Sequence, residues 1–308
     1  MNTILFSHAR TALKFGLLSS IEKKNSYILV PDYICEVVPN TILLNNYKLI
    51  YYRINDDFTP DWQDLNEKIN KNISAVMMVH YFGIRQNVNK FFDFAKKNKI
   101  LLIEDNAHSL INWNDKNTYF DFSISSPRKN LNLFSGGSLT IDNLKYDINK
   151  LIKYPLNKKQ IISTFHKKKF DKLKIFIKKN FYKRPKYEIN FDEEEIITDY
   201  LIDDYSYKVL NNSNLKKIKN LKIKKFNYWN EFALKNNLKP IFSNLSDDET
   251  CPWCCPVYSS SKEETIYWYK WGWKKGIFVF SWPNLIPSLL KDNKINKRRE
   301  RLICFSTN

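Results

Sequence analysis

Apolar runs of strand length alternate with stretches of helical periodicity over the first 150 residues of the chain. The predicted helices cover residues 9–22, 33–45, 62–71 and 87–98, and the predicted strands cover 27–31, 48–54, 75–80 and 100–103. Two further strand-like stretches, 121–125 and 137–142, extend the same layer. This alternation indicates an α/β fold with a large, mostly parallel sheet that helices cover on both faces.

The pattern changes after about residue 150. In the Lys-rich segment 161–181, apolar residues recur at three- and four-residue steps, which predicts a packed helix with a basic outer face or, alternatively, a membrane-surface helix. Another helix is predicted at 214–236, followed by strand-like PVYSS and IFVFSW and a basic tail. We therefore expect a large domain over residues 1–210 and a small C-terminal α+β domain over residues 211–308.

Composition limits the class of protein further. The chain has 308 residues, 43% of them apolar, which is enough for a buried core and excludes a disordered tail. Its net charge of +18 accompanies an excess of Asn, Ile and Lys and few Gly and Pro, as an AT-rich coding bias would produce. The charge then reflects solvated lysines, and anionic partners are the alternative. The N-terminus does not resemble a signal peptide and no apolar window is long enough to span a membrane, so we expect a cytoplasmic protein.

Five cysteines form an odd, clustered set, which indicates reduced thiols rather than a disulfide framework. Cys251 and Cys254 match the C-x-x-C spacing of dithiol oxidoreductases, so a thiol redox protein is one alternative function. A redox motif normally opens a helix after a strand, whereas this one precedes a predicted strand of the small domain. A second pair of zinc ligands is missing nearby, so we expect no metal site and a packed edge of the small domain instead.

Candidate site residues directly follow the predicted strands, because ligands of open parallel sheets bind outside the carboxyl ends of the strands. These segments are 7–11, 31–35, 80–83, 104–108 and 125–130. Asp105 would be desolvated at the mouth of a buried strand unless it met a cation, although a helix N-cap is the simpler interpretation. Lys129, in a segment between two strands, could form a Schiff base with an aldehyde cofactor.

Six motifs occur in a characteristic order along the chain. They are FSHARTAL at 6–13, VPDYICEVV at 30–38, VHYFG at 79–83, IEDNAHSL at 103–110, SPRKN with SGGSLTID within 126–142, and FSWPNLIP at 280–287. Their order and spacing resemble those of the DegT/DnrJ/EryC1/StrS family of sugar aminotransferases, which depend on pyridoxal 5'-phosphate (PLP) and have the type I PLP-transferase fold. The resemblance covers nearly the whole chain, and it implies that the large domain binds PLP.

The resemblance assigns roles around the cofactor ring. It implies that Lys129 holds PLP through a Schiff base and moves protons during the reaction, and that Asp105 pairs with the pyridine nitrogen. His108 would lie near the 3-oxygen of the cofactor, and Ala107 would lie against the face of the ring. These residues are the catalytic and ring-binding part of the predicted site.

The resemblance places the cofactor phosphate at the start of the first helix, on the backbone N–H groups of Ala9, Arg10 and Thr11. The side chain of Ser125 or Ser126 would help to bind it. Ala9 stands where the family usually has Gly, and Arg10 stands where Thr is common. Because an Arg can bind phosphate directly, this part of the site is expected to be altered but retained.

The resemblance also implies a reaction, in which an amino group passes from glutamate to the keto group of a nucleotide-linked sugar destined for a surface polysaccharide. A homodimer is expected, because the family's active site lies at the subunit interface. A PLP-dependent sugar dehydratase or an inactive member is an alternative, although the presence of Lys129 disfavours the known dehydratase variant, which has His there. The sequence ends about where relatives begin a final strand and helix, which leaves open an incomplete small domain.

A nucleic-acid-binding protein is the remaining class, suggested by the charge together with 18 Tyr and 21 Phe that could stack on bases. Most of these aromatic residues fall on apolar faces alongside Ile and Leu, where they indicate a core. We therefore expect no binding to nucleic acid and none to membranes.

Overall fold

A computed structural model of the chain describes residues 2–23, 25–110, 119–158, 160, 199–245 and 250–308. The helix predicted at 161–181 lies outside these residues. None of the helices in the described part combines the length and the apolar character that crossing a bilayer requires.

Seven strands from the first 141 residues form the larger sheet. They are β1 (Asn2–Phe6), β2 (Tyr27–Pro31), β3 (Lys48–Tyr52), β4 (Ile73–Val79), β5 (Leu101–Asn106), β6 (Phe122–Ser125) and β7 (Gly137–Ile141). Their order is β1-β7-β6-β5-β4-β2-β3. Neighbours from β6 to β3 are parallel, whereas β7 is antiparallel to β6 and β1 is antiparallel to β7. The predicted α/β class with a mostly parallel sheet is confirmed; the edge strand β1 was not predicted, and only its last residue, Phe6, is buried.

Four helices of the first hundred residues connect these strands. They are α1 (Ala9–Ser20), α2 (Val37–Leu44), α3 (Trp62–Glu67) and α4 (Val88–Asn98). The prediction for α2 began too early, because residues before Val37 hydrogen-bond to a distant segment instead of forming a helical turn. The Glu36 N–H donates to the Asn284 carbonyl oxygen at 2.7 Å, and the Tyr33 hydroxyl donates to the Trp282 carbonyl oxygen at 3.0 Å.

A four-stranded antiparallel sheet with its helices forms the second layer. The helix that precedes it in sequence, α5 (Asp204–Asn211), packs on the first layer instead, where the Ser206 hydroxyl oxygen accepts a hydrogen bond from the Phe134 N–H at 3.0 Å. The helices of the second layer are α6 (Leu215–Lys235), α7 (Lys262–Lys275), α8 (Pro287–Leu290) and α9 (Asn293–Arg301), and its strands are β8 (Lys239–Pro240), β9 (Cys254–Tyr258), β10 (Val279–Phe280) and β11 (Leu302–Ser306). The strand order is β10-β11-β9-β8. Trp229 stacks on Phe305 at a centroid separation of 4.9 Å in the core of this layer. The domain boundary at residue 210 stays a prediction.

Arg298 connects the two layers. It belongs to the segment that the sequence indicates as a basic tail, yet it is 6% exposed. Its guanidinium donates to the carboxylate of Asp56 at 2.8 Å and to the Ile54 carbonyl oxygen at 2.9 Å, both in the loop after β3. It also lies over the ring of Tyr33, 5.4 Å from the centroid. The second layer is therefore held against the carboxyl ends of the first-layer strands.

Candidate active site

A cavity of about 310 Å³ lies between the two layers, at the carboxyl ends of β4, β5 and β6. Val79, Asp105 and Ile124 line it from these three strands, and Trp253 and Trp282 line it from the second layer. Ligands of open parallel sheets bind at this edge, outside the carboxyl ends of the strands.

The cavity brings together seven of the nine predicted site residues. They are Ala9, Arg10, Asp105, Ala107, His108, Ser126 and Lys129. Ser125 does not line it, because successive side chains of a strand point to opposite faces and its hydroxyl oxygen lies 2.5 Å from that of Ser138 on β7. Thr11 does not line it either; its hydroxyl is buried in α1 and has no hydrogen-bond partner within the described part of the chain.

Asp105 is a buried carboxylate at the penultimate position of β5. Its Oδ1 accepts a hydrogen bond from the Ala107 N–H at 2.8 Å. Burial raises the pKa of Asp105, while that hydrogen bond and the positive charge of Lys129 oppose the rise. The ionised form is therefore costly unless a further cation or N–H donor enters the cavity.

His108 is held as a neutral ring. The Phe82 N–H donates to its Nδ1 at 3.1 Å, so the neutral ring carries its proton on Nε2. Burial, with the Lys129 charge as a smaller cause, lowers the pKa of His108 well below its usual range. Trp253 and Trp282 pack against the ring, each with a centroid separation of 4.6 Å. This leaves Nε2 as the donor nitrogen of the ring.

The other end of the cavity is cationic. Arg10 and Arg128 line it together with the first residues of α1, where the N–H groups of the first turn have no partner inside the helix. His8 at the N-cap is buried, and burial followed by the charges of Arg128 and Arg10 lowers its pKa to about 3, so it is neutral near pH 7. Two guanidinium groups at a helix N-terminus form a site suited to an anion.

Gly137 allows this helix terminus to approach the sheet. A Cβ atom at Gly137 would lie 2.1 Å from the carbonyl carbon of His8 and 2.3 Å from the backbone nitrogen of Ala9. Only a glycine at the start of β7 leaves room for the backbone there. The close approach is thus provided by the strand, although the helix itself has Ala9 where relatives usually have Gly.

The predicted site residues did not include His8, Arg128, Trp253 and Trp282, which bring ionisable or aromatic rings and a guanidinium to the cavity lining. Trp282 lies in the quoted FSWPNLIP motif, and Trp253 lies in CPWC, which was interpreted through its cysteines. Cys251 and Cys254 are 1% and 0% exposed, and burial raises the pKa of both thiols, the opposite of what a redox thiolate needs. Among the described residues, no group of three or more His, Cys, Asp or Glu could hold a metal ion.

Comparison with known proteins decides the family. The model of the DegT/DnrJ/EryC1/StrS aminotransferase family matches residues 2–167. The chain belongs to the DegT/DnrJ/EryC1/StrS aminotransferase family. The matched region includes all nine predicted site residues, whereas Trp253 and Trp282 lie beyond it.

Individual relatives of this DegT/DnrJ/EryC1/StrS family member are distant. GDP-perosamine synthase of Vibrio cholerae is 25% identical over 152 residues, which are 48% of this chain and 41% of that protein, so the match spans less than half of the curated relative. The structure of PseC from Helicobacter pylori, an aminotransferase of pseudoaminic acid biosynthesis, superposes with a TM-score of 0.67 at 18% identity, covering 100% of this chain and 82% of that one. NtdA from Bacillus subtilis superposes with a TM-score of 0.66 at 16% identity, covering 100% and 69%. The predicted type I PLP-transferase fold is confirmed by this likeness.

Proposed function

We propose that this chain is a PLP-dependent aminotransferase that transfers an amino group from glutamate to the keto group of a nucleotide-linked sugar. The observation that carries the proposal is the convergence of Asp105, His108 and Lys129 on one end of a cavity whose other end is cationic. We further propose that the enzyme acts in the cytoplasm as a homodimer and that its product enters a surface polysaccharide.

The residues present fit PLP. Asp105 is a buried acid that needs a cationic partner, and a protonated pyridine nitrogen would be one. The Nε2–H of His108 would donate to the 3-oxygen of the ring, and the small side chain of Ala107 leaves room for a flat ring. NtdA, one of the structural neighbours, was solved with bound pyridoxamine 5'-phosphate (PMP). When bound, the cofactor supplies an electron sink for the carbon from which a proton is removed.

Lys129 would hold the cofactor and move protons. Its Nζ lies at the ring end of the cavity, close enough for its charge to lower the pKa of both Asp105 and His108. As a neutral amine, Nζ would take a proton from the carbon that carries the amino group and return it at a second carbon. Asp105 would keep the ring nitrogen protonated throughout, because the buried carboxylate is stabilised only while a cation faces it.

The cationic end would bind the phosphate. Arg10, Arg128 and the N–H groups of the first turn of α1 provide charge-assisted donors, and the hydroxyl of Ser126 provides a further one. The ring of His8 lines the cavity beside these groups and, being neutral near pH 7, adds no charge. A phosphate fixed here would set the distance of the ring from Lys129.

The nucleotide-sugar part of the proposal is supported by the relatives. One is a synthase of GDP-perosamine, a nucleotide-linked amino sugar, and another is an aminotransferase of pseudoaminic acid biosynthesis. Because these relatives are distant, they support the substrate class and not one sugar.

Lysine labelling tests the proposal. The protein mixed with PLP should show a visible absorbance band, and borohydride should fix the cofactor on Lys129, as detected by peptide mass spectrometry. K129A should abolish both signals, because the amine that forms the linkage is gone. K145A is the matched control, since Lys145 pairs with Glu22 at 2.7 Å outside the cavity.

Two outcomes would contradict the proposal. Full labelling that survives in K129A would assign the linkage to another lysine. A labelled wild-type protein whose absorbance does not change with glutamate would show that glutamate is not the amino donor.

A further inference from the structure

The CPWC motif brings an aromatic ring, rather than a thiol, into the cavity. The loop that contains it is hydrogen-bonded to the turn after β4: the Trp253 N–H donates to the Phe82 carbonyl oxygen at 2.8 Å, and the Cys251 N–H donates to the Gly83 carbonyl oxygen at 3.2 Å. Gly83 has a φ of +84°, and a Cβ atom there would lie 2.2 Å from the Cys251 carbonyl oxygen. The position of Trp253 is therefore fixed by the large sheet as well as by its own strand.

The last residues of the sequence hold the same loop from the other side. The Thr307 hydroxyl lies 2.6 Å from the Pro252 carbonyl oxygen and 2.8 Å from the Trp253 carbonyl oxygen. The side-chain amide of Asn308 donates to the Lys129 carbonyl oxygen at 3.1 Å. Lys222, which is buried, donates to both Thr307 and Asn308. Trp253 and the backbone of Lys129 are thus fixed relative to each other by two adjacent residues.

The indole of Trp253 presents a face to the Lys129 ammonium. Lys129 Nζ lies 4.9 Å from the ring centroid. His108 packs on the indole at 4.6 Å with an interplanar angle of 30°, and Phe280 contacts it at 4.9 Å. A cation within about 6 Å of an indole face is attracted by the ring quadrupole, and Trp is the strongest of the aromatic residues in this respect.

We propose that Trp253 is a positioning residue that holds the Lys129 ammonium whenever Lys129 is not covalently joined to the cofactor. The inference rests on the proposed function, because it assumes that Lys129 alternates between a joined and a released form. In the cofactor-free protein and in the PMP complex, Lys129 is released and makes the contact with Trp253. In the PLP complex, Nζ is joined to the cofactor and the contact is given up.

This difference predicts an effect on two affinities. Because PLP binding gives up the contact and PMP binding keeps it, Trp253 weakens PLP relative to PMP. Any contact between Trp253 and the ring or phosphate is shared by the two cofactors and cancels in the ratio of their dissociation constants. The ratio therefore reports the ammonium contact and not a general loss of packing.

The test measures PLP and PMP dissociation constants by equilibrium dialysis for the wild-type protein and for W253L, W253F and W282L. W253L should shift the ratio in favour of PLP by about two- to fivefold, and W253F should shift it in the same direction by less, because Phe retains a weaker face. W282L is the matched control: Trp282 also packs on His108, and its loss should leave the ratio unchanged. An unchanged ratio in W253L would overturn the inference.

A second readout uses no cofactor. In the cofactor-free protein, an amine reagent should label Lys129 faster in W253L than in the wild type, relative to Lys145 in the same sample. If W253L does not fold, faster labelling of Lys129 in W253F decides the matter, and an unchanged rate there contradicts the proposal. Wild-type protein that binds neither cofactor would refute the proposed function itself, whereas binding of both with an unshifted ratio would refute only this inference.

Discussion

The two ends of the cavity differ in how deeply their charged and polar groups are buried and in how many donors they offer to a ligand. At the ring end, Asp105 and His108 are 4% and 3% exposed, and in the proposed function each has a role that no neighbouring side chain duplicates. At the phosphate end, Arg10 is half-buried, Arg128 is exposed, and both would share the phosphate with the helix terminus. A dry site with single groups should be sensitive to every substitution, and a wetter site with several donors should tolerate the loss of one.

The largest effect is expected at the ring end. D105N removes the charge that would face the pyridine nitrogen while keeping the shape of the side chain. We expect PLP affinity to fall by about 10- to 150-fold, the loss typical of a charge-assisted hydrogen bond, and the half-reaction with glutamate to slow still further. Fluorescence titration with PLP and single-turnover absorbance measure the two quantities.

D121N is a control for that substitution. Asp121 accepts a hydrogen bond from the Leu102 N–H at 2.7 Å near the start of β5, and it does not line the cavity. The affinity of D121N for PLP should stay within about twofold of the wild type. Loss of a carboxylate outside the cavity affects the stability of the fold and not the binding of the ligand. A D105N protein with wild-type transamination would remove Asp105 from the mechanism.

A smaller effect is expected at the phosphate end. R10A should lower the affinity for PLP by about tenfold. This is near the lower end of the loss expected for a charge-assisted hydrogen bond, because Arg128 and the helix terminus remain. Affinity for pyridoxal, which lacks the phosphate, should hardly change. Isothermal titration with both cofactors gives the comparison, and equal weakening of the two would show that Arg10 acts on folding or on another part of the ligand.

The smallest effect distinguishes two adjacent serines. S126A should weaken PLP by about threefold, as expected for one neutral hydrogen bond at a site with other donors. S125A should leave PLP affinity unchanged, because its hydroxyl faces Ser138 within the sheet, and should lower the unfolding temperature slightly instead. The opposite result, with S125A affecting the cofactor more, would contradict the placement of the phosphate.

Sequence reasoning worked best where local pattern and chain order were sufficient. Asp105 and Lys129 were predicted because each follows a recognisable strand and because the motifs around them occur in a fixed order. The sequence left open whether Ser125 or Ser126 faces the cavity. Deciding between them requires knowing that β6 ends at Ser125, since a shift of one residue reverses the face of the sheet on which a side chain lies.

Other features depended on contacts between distant segments. The first turn predicted for α2 is replaced by a bond from Glu36 to Asn284, which no local periodicity encodes. Trp253 was overlooked because Cys251 and Cys254 in the same motif suggested thiol chemistry. Both cysteines are buried, and Cys254 pairs with Ser306 of β11, a contact between distant segments.

The central position of β11 in the small sheet determines the order in which the parts of the site can assemble during synthesis. All strands of the large sheet are complete by residue 141, and the segment before α1 is held by residues near 200, since the Ser7 N–H donates to the Tyr200 carbonyl oxygen at 2.8 Å. The cover over Lys129 must wait for residues 302–307, because β11 separates β10 from β9 and Thr307 holds the Trp253 loop. At the usual elongation rate, the 166 residues from 141 to 307 take roughly ten to thirty seconds. We therefore expect the nascent chain to lack the cover over Lys129 for most of that interval, so that PLP would reach the lysine from the side that Trp253 later closes.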